Sequence, residues 1–302
     1  MARQLEKLLA KIRAHQDPWR ALMDLPMSAL NSLLLELFKA RANQVEPAHL
    51  LHAFRENRFV QPSADDPIQI KEMELEFLQA AKNHGFKPLN LSPVTPLGSS
   101  SVLAPVDQNN VVSALRLSEV VSDATNVLAL QIASEFKGTN GKGARAYAAV
   151  HRHIRGQSFA NPKFSAHFSV MALASGGLDS GNFRFEIETL RQHILLLRHI
   201  LSKYVDPREL SIRFYWKKNS KFFQENFKEA NGKGWHDLPI DEVEDFESDY
   251  YQLVQFKLLL KRNKETYDVA DGGVVDWTQK LLSNKKHRLV ISGIGLELLA
   301  RI

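Results

Sequence analysis

Apolar positions recur every three or four residues in some stretches of this chain and every second residue in others, and that change of period marks out its elements. Ile187, Leu190, Ile194, Leu197 and Leu201 define an amphipathic helix that ends before Pro207. Ile70, Met73, Phe77 and Ala81 define another, opened by Asp66 and Pro67 and stopped by Gly85. Period two governs Tyr147 to Arg155, with Val150, Arg152 and Ile154 on one face and His151, His153 and Arg155 on the other. Together with the alternating run His167 to Ala174 it predicts an antiparallel hairpin with one cationic face. Leu210 to Trp216 alternates in the same way, as does Tyr250 to Lys261, whose core face carries Val254, Phe256, Leu258 and Leu260. A short strand over 111–115, a helix through Val127 to Ile132, a helix over Trp277 to Leu282 and a strand over Arg288 to Ser292 complete the pattern. A closing helix is entered through Gly293 and Gly295.

Residues 1–62 read as a small helical domain, with helices around Leu5 to Ile12, Ala29 to Phe38 and Pro47 to Phe54, followed by a polar linker near Gln61 to Asp66. The second domain, 63–302, is expected to be α+β, an antiparallel sheet flanked by helices. Pro88, Pro93 and Pro96 mark an extended segment at an edge or an interface. Lys137 to Gly143 reads as a flexible loop. Its glycines and Lys142 do not match the spacing of a Walker loop or a dinucleotide fingerprint. The polar, charge-mixed stretch 217–248 is expected as a surface insertion, and Asp271, Gly272 and Gly273 as a turn.

Composition narrows the chemistry. The 302 residues contain no cysteine, which excludes disulfides, thiolate nucleophiles and Cys-based metal sites. A net charge of +5, from 39 basic and 34 acidic residues, permits a nucleic-acid or nucleotide partner without requiring one. No signal peptide and no membrane span is expected, so a cytoplasmic protein is. His151, His153 and His167 invite a metal-site reading, but a ligand-facing polar wall explains them without a metal.

The order of these elements, with four short motifs, resembles the catalytic domain of class II aminoacyl-tRNA synthetases, and most nearly histidyl-tRNA synthetase and the regulatory subunit of ATP phosphoribosyltransferase. The helix ending at Gly85 with Phe86 and Pro93 resembles the first motif, which builds the dimer interface. That implies a homodimer through Asp66 to Gly98. The hairpin resembles the second, whose Arg-x-Glu holds the α-phosphate and adenine of ATP, here Arg155 and Gln157. Asp249-Tyr250-Tyr251 and Ala270 to Gly273 are similar to two stretches of the histidyl enzyme. Ser292 to Leu299 resembles the third motif, Gly-x-Gly-x-Glu-Arg. The resemblance implies nucleotide contacts from Arg155, Gln157, His167, Gly293 and Gly295, and amino-acid contacts from Arg116, Glu119, Tyr250 and Tyr251.

The departures are chemical. The third-motif arginine falls at Leu298, which has neither the charge nor the planar donors to serve a triphosphate. Gln157 stands for glutamate, and the second motif's later cation falls at Phe164, leaving Lys163 or His167 to substitute. Arg116 and Glu119 are one residue further apart than in the similar Leu-Arg-Pro-Glu stretch, and Asp123 and Thr125 either share the amino-group role or cap the next helix. Arg155 either receives an anion or pairs as an ordinary sheet-face arginine; Tyr250 and Tyr251 either line a pocket or fill core.

The C-terminal anticodon-binding domain of the histidyl enzyme is expected to be missing. The expected function is therefore a synthetase-derived paralogue that does not charge tRNA and binds an amino acid or adenine nucleotide in a regulatory or accessory role. Two alternatives stand beside it. One is a ligase that uses ATP and Mg²⁺ to form an aminoacyl-adenylate for a non-tRNA acceptor. The other is an RNA-binding or scaffolding protein working through the N-terminal helices.

Overall fold

The alternating stretches become neighbours in a single sheet. The computed structural model describes residues 7, 9–10, 12, 14, 17–139, 143–156, 165–231 and 238–302. Its strands are β1 (Lys87–Pro88), β2 (Val94–Pro96), β3 (Ser113–Ala114), β4 (Ser118–Val120), β5 (Arg145–Ile154), β6 (His167–Leu178), β7 (Leu210–Lys217), β8 (Ile240–Phe246), β9 (Val254–Arg262), β10 (Glu265–Val275) and β11 (His287–Gly295). Eight of them form one sheet, in the order β1–β5–β6–β11–β10–β9–β7–β8, and β2–β4–β3 form a second, smaller one. Pairing is antiparallel from β5 across to β7. At the two edges β1 runs parallel to β5 and β8 parallel to β7, so the antiparallel sheet expected from sequence is the middle of a mixed one.

The sheet buries both faces. On one lie α4 (Pro67–Asn83), α7 (Arg184–Leu201) and α10 (Leu296–Arg301), whose Phe77, Leu190, Ile194 and Leu296 pack against Met171, Phe256 and Val290. The stripe Ile70, Met73, Phe77 and Ala81 is buried as its spacing requires, and Asp66 caps α4 by accepting from the Ile68 amide at 2.9 Å. On the other face α6 (Ala124–Thr139) and α9 (Trp277–Leu282) pack Leu128, Ile132, Phe136 and Trp277 onto Ala149, Ala172 and Ala174, small residues that let a helix approach closely. α6 takes in Lys137 to Thr139, the first part of the expected loop; residues 140–142, with Lys142, lie outside the described residues.

Two expectations change. Within 217–248, α8 (Lys221–Asn231) and β8 are regular elements. Phe223 and Phe227, four apart and therefore on one face of α8, are buried, with the Phe227 ring 5.5 Å from that of Trp216. Asp271, Gly272 and Gly273 are the middle of β10, not a turn. The reversal lies at Asn263 and Lys264, both at positive φ, as a tight two-residue hairpin needs. The expected strand over 111–115 is reduced to β3.

Helices with described bounds towards the N-terminus include α1 (Pro18–Met23), α2 (Met27–Ala42) and α3 (Pro47–Glu56), with α5 (Ser99–Leu103) later in the chain. Pro18 and Pro47 begin helices, where their missing N–H is not needed. α2 and α3 bury no side chain, and Leu50 and Phe54 are exposed. The Arg116 amide donates to Asn31 Oδ1 at 2.8 Å, and Arg301 pairs with Asp65 at 2.6 Å. Among the described residues no helix is long and apolar enough to cross a membrane.

His193 of α7 is fully buried between two serines, its Nε2 2.9 Å from Ser175 Oγ on β6 and its Nδ1 2.8 Å from Ser292 Oγ on β11. Burial pushes its pKa from 6.5 down to about 3. The unfolded chain therefore binds a proton between those values that the folded one does not. The stability present above pH 6.5 falls as the pH drops towards 3, by at most about 1.4 kcal/mol per pH unit from this residue. Urea midpoints measured from about pH 7 to 4.5 should fall, and His193→Asn should make that dependence shallower.

Candidate ligand-binding cleft

The face of the sheet that carries His153 and Arg155 opens beyond α6 into a cavity of about 610 Å³. Its floor is Phe168 and Val170 of β6, Gly293 and Gly295 of β11, Asp271 of β10, and Gln255 and Lys257 of β9. Asp123 and Thr125 at the start of α6 and Tyr250 and Tyr251 ahead of β9 close one side.

The α6 terminus builds the first polar corner. Asp123 Oδ1 accepts from the Thr125 amide at 2.9 Å and its hydroxyl at 2.7 Å, and Oδ2 accepts from the Tyr250 hydroxyl at 3.0 Å. His153 is buried; its Nε2 accepts the Ala124 amide at 3.0 Å, fixing the Nδ1–H tautomer. Burial pushes the His153 pKa down to about 3, which leaves it neutral. Burial also acts to raise the Asp123 carboxyl, but the net shift is downward. With His153 uncharged at neutral pH, the Arg155 charge and the Thr125 hydrogen bonds hold Asp123 ionised.

Arg155 supplies the cation. Its guanidinium lies 5.2 Å over the Phe168 ring and donates from Nε to the Ser122 carbonyl at 3.2 Å. Among the described residues no acceptor reaches its terminal nitrogens. The backbone is fixed on both sides. Gly156 donates to the Asn110 carbonyl at 2.7 Å and accepts from Arg58 Nη2 at 2.6 Å.

A second polar corner lies across the floor. Asp271 Oδ2 accepts from the Tyr251 hydroxyl at 3.1 Å and from Gln255 Nε2 at 3.4 Å, and Lys257 pairs with Asp268 at 2.5 Å. Asp271 opens to the cavity, but the protein crowded around it, with the Asp123 charge nearby, still raises its carboxyl above the ordinary range, and burial holds both tyrosine hydroxyls well above theirs.

Of the residues singled out by sequence, Arg155, Gly293, Gly295, Tyr250 and Tyr251 meet at this cleft, together with Asp123 and Thr125. Gln157, like Lys163 and Phe164, lies outside the described residues. His167 is on the opposite face of the sheet. Its Nδ1 accepts from Arg152 Nε at 2.9 Å and its Nε2 donates to the Gln61 carbonyl at 2.6 Å, so it neither lines the cleft nor joins His151 and His153. Arg116 stands on a turn at φ 67° away from the cavity. Glu119 is fully buried behind the wall, accepting from the amides of Gly98 and Ser100 and from Gln108. Among the described residues no group of three or more metal-ligating side chains comes together.

In the third motif, Glu297 accepts the Ser169 amide at 2.7 Å and pairs with Arg152 at 3.4 Å, tying α10 to the sheet. Leu298 lines the cavity. Arg301, one turn on, lines it too but is engaged by Asp65. Sequence reading missed Gln255, Lys257 and Asp271. The first two sit on the polar positions of β9, visible in its alternation, whereas Asp271 was hidden by the glycines beside it.

This architecture is a class II synthetase-like fold. A structure of apo histidyl-tRNA synthetase from S. aureus superposes with a TM-score of 0.61 at 12% identity, over 80% of this chain and 68% of that one. An ATP phosphoribosyltransferase regulatory subunit/histidyl-tRNA synthetase from Bacillus halodurans gives 0.60 at 12% identity, over 82% of each chain. A histidine–tRNA ligase subunit from Alicyclobacillus acidocaldarius gives 0.58 at 9% identity, over 80% of this chain and 94% of that one. No protein-family model and no curated protein matches the sequence. At these identities the likeness establishes the fold.

Proposed function

We propose that this chain is a synthetase-derived paralogue that binds a free amino acid in the cleft as a regulatory or accessory protein and does not charge tRNA. One observation carries the reading. Arg155, whose terminal nitrogens meet no acceptor among the described residues, and Asp123, held ionised between Thr125 and Tyr250, face the same cavity, so a carboxylate and an α-ammonium group each have a partner there. Against nucleotide activation stands Leu298, an apolar side chain where a triphosphate needs a cation.

Isothermal titration of the full chain against the standard amino acids, ATP and AMP tests this, and no heat with any of them would sink the pocket. Gly295 provides a matched control. It lies at φ −81° with nothing within 4 Å of the position a Cβ would take, so a larger side chain enters the cavity rather than the protein. Gly295→Leu should weaken binding at least about tenfold by occupying the site, at a folding cost within about 1 kcal/mol from the lost glycine N-cap.

One observation favours the ligase alternative. Arg301, paired with Asp65, adds a further cation to the cleft beside Arg155 and Lys257, within which a phosphate would be accommodated. Amino-acid-dependent exchange of pyrophosphate into ATP would establish that reading in place of the first.

A further inference from the structure

Among the described residues, two cleft carboxylates, Asp123 and Asp271, stand against one guanidinium, Arg155, whose terminal nitrogens meet no acceptor, an unequal set of charges for an ordinary zwitterion. If Asp123 and Arg155 hold the α-ammonium and the carboxylate, Asp271 is left over, and its surroundings point to a ligand rather than to a protein partner. It lies on the cleft face of β10, opposite Gly293 of β11 and Lys257 of β9. Gly293 offers no side chain to cover it, and Asp271 is exposed to the cavity.

The carboxylate is nevertheless fixed in position. Gly273, two residues on and on the same face, leaves room for the Tyr251 ring, because a Cβ there would come within 2.6 Å of Tyr251 Cδ1. That close approach lets the Tyr251 hydroxyl reach Asp271 Oδ2, where Gln255 Nε2 also donates. Among the described residues no donor reaches Oδ1. Lys257, the nearest cation in register, is committed to Asp268. The Tyr250 and Tyr251 rings lie 4.8 Å apart, one holding Asp123 and the other Asp271, so both acids serve one ligand-sized space.

We infer that Asp271 is a specificity-determining residue of the cleft, selecting an amino acid whose side chain ends in an ammonium or guanidinium group. The inference rests on the amino-acid reading proposed above and adds the ligand's class to it. A cationic end relieves the repulsion between the two acids and fills the vacant acceptor of Asp271. A neutral amide satisfies the hydrogen bond but leaves the charge, and an acidic side chain adds a third negative group.

Calorimetry on the full chain at about pH 8, where free imidazole is neutral, reads this directly with L-lysine, L-ornithine and L-arginine against L-glutamine, L-histidine, L-norleucine and L-glutamate. At least one of the cationic three should bind about tenfold or more tighter than norleucine and glutamine, with glutamate weakest. Asp271→Asn should remove that preference while leaving norleucine affinity within about threefold, a pattern that general loosening of the cleft would not give. The panel on the unsubstituted protein decides the matter even if the variant folds poorly. A neutral or acidic amino acid binding best, or Asp271→Asn weakening every ligand alike, would overturn the inference and leave the pocket standing. No binding by any amino acid would overturn both.

Discussion

Gly273→Ala should destabilise the protein by about 3 kcal/mol, read as a lowered urea midpoint with unchanged slope. The physical cause is a collision with backbone. A Cβ at this position would lie 2.2 Å from the Val254 carbonyl oxygen and 2.6 Å from Tyr251 Cδ1, and the first of these belongs to the chain that runs into β9 and cannot swing away. Gly272→Ala meets the same obstacle at 2.4 Å from Ser292 Cβ and 2.5 Å from the Ile291 carbonyl. Neither glycine has positive φ, so the requirement is for space and not for a left-handed backbone. Gly273→Asn separates the two explanations, since asparagine is tolerated in a turn but is larger than alanine in a packed strand. It should be the worse variant. A cost below about 0.5 kcal/mol for Gly273→Ala would mean that the strands do not pack as described. Because the Tyr251 ring occupies the space the methyl would need, the same substitution should also displace the hydroxyl from Asp271 and weaken ligand binding.

These glycines also mark where sequence reading failed and why. Two adjacent glycines after an aspartate read as a turn, because composition alone does not distinguish a residue chosen for φ from one chosen for lack of a side chain. Helices were legible where a long apolar stripe met capping signals, as in α4 between Asp66 and Gly85, and α9 begins and ends where its pattern says. α8 was not, because Phe223 and Phe227 are dispersed among Lys221, Gln224, Glu225 and Lys228, and polarity concealed a two-residue anchor for the aromatic cluster around Trp216. For the cleft, strand alternation put Arg155 on the right face and resemblance singled out the tyrosines. His167 was misplaced because its face depends on the β5/β6 register, in which it lies opposite Ile154 and so points away from Arg155. Asp271 and Lys257 required knowing that β9 and β10 pair in the register that brings them together, which is a tertiary fact.

Glu119→Ala should cost about 4 kcal/mol of folding stability, and Glu119→Gln about half as much. The carboxylate is fully buried and accepts three donors, Gly98 N at 2.8 Å, Ser100 N at 3.0 Å and Gln108 Nε2 at 3.0 Å. Two of these are backbone amides at the start of α5, where a negative group answers donors that a short helix cannot satisfy within itself. Alanine leaves the fully buried Ser100 amide and the half-buried Gly98 and Gln108 donors without this acceptor. Glutamine keeps one oxygen but turns an NH₂ towards a donor. The resemblance in sequence assigns Glu119 to a substrate amino group, and this is where stability and binding part company. If Glu119 is the internal brace that its hydrogen bonds describe, Glu119→Gln should lower the melting temperature while changing amino-acid affinity by less than about threefold, and Asp123→Asn should do the reverse. Affinity falling more than about tenfold in Glu119→Gln with melting unchanged would return the amino-group role to Glu119 and remove it from Asp123.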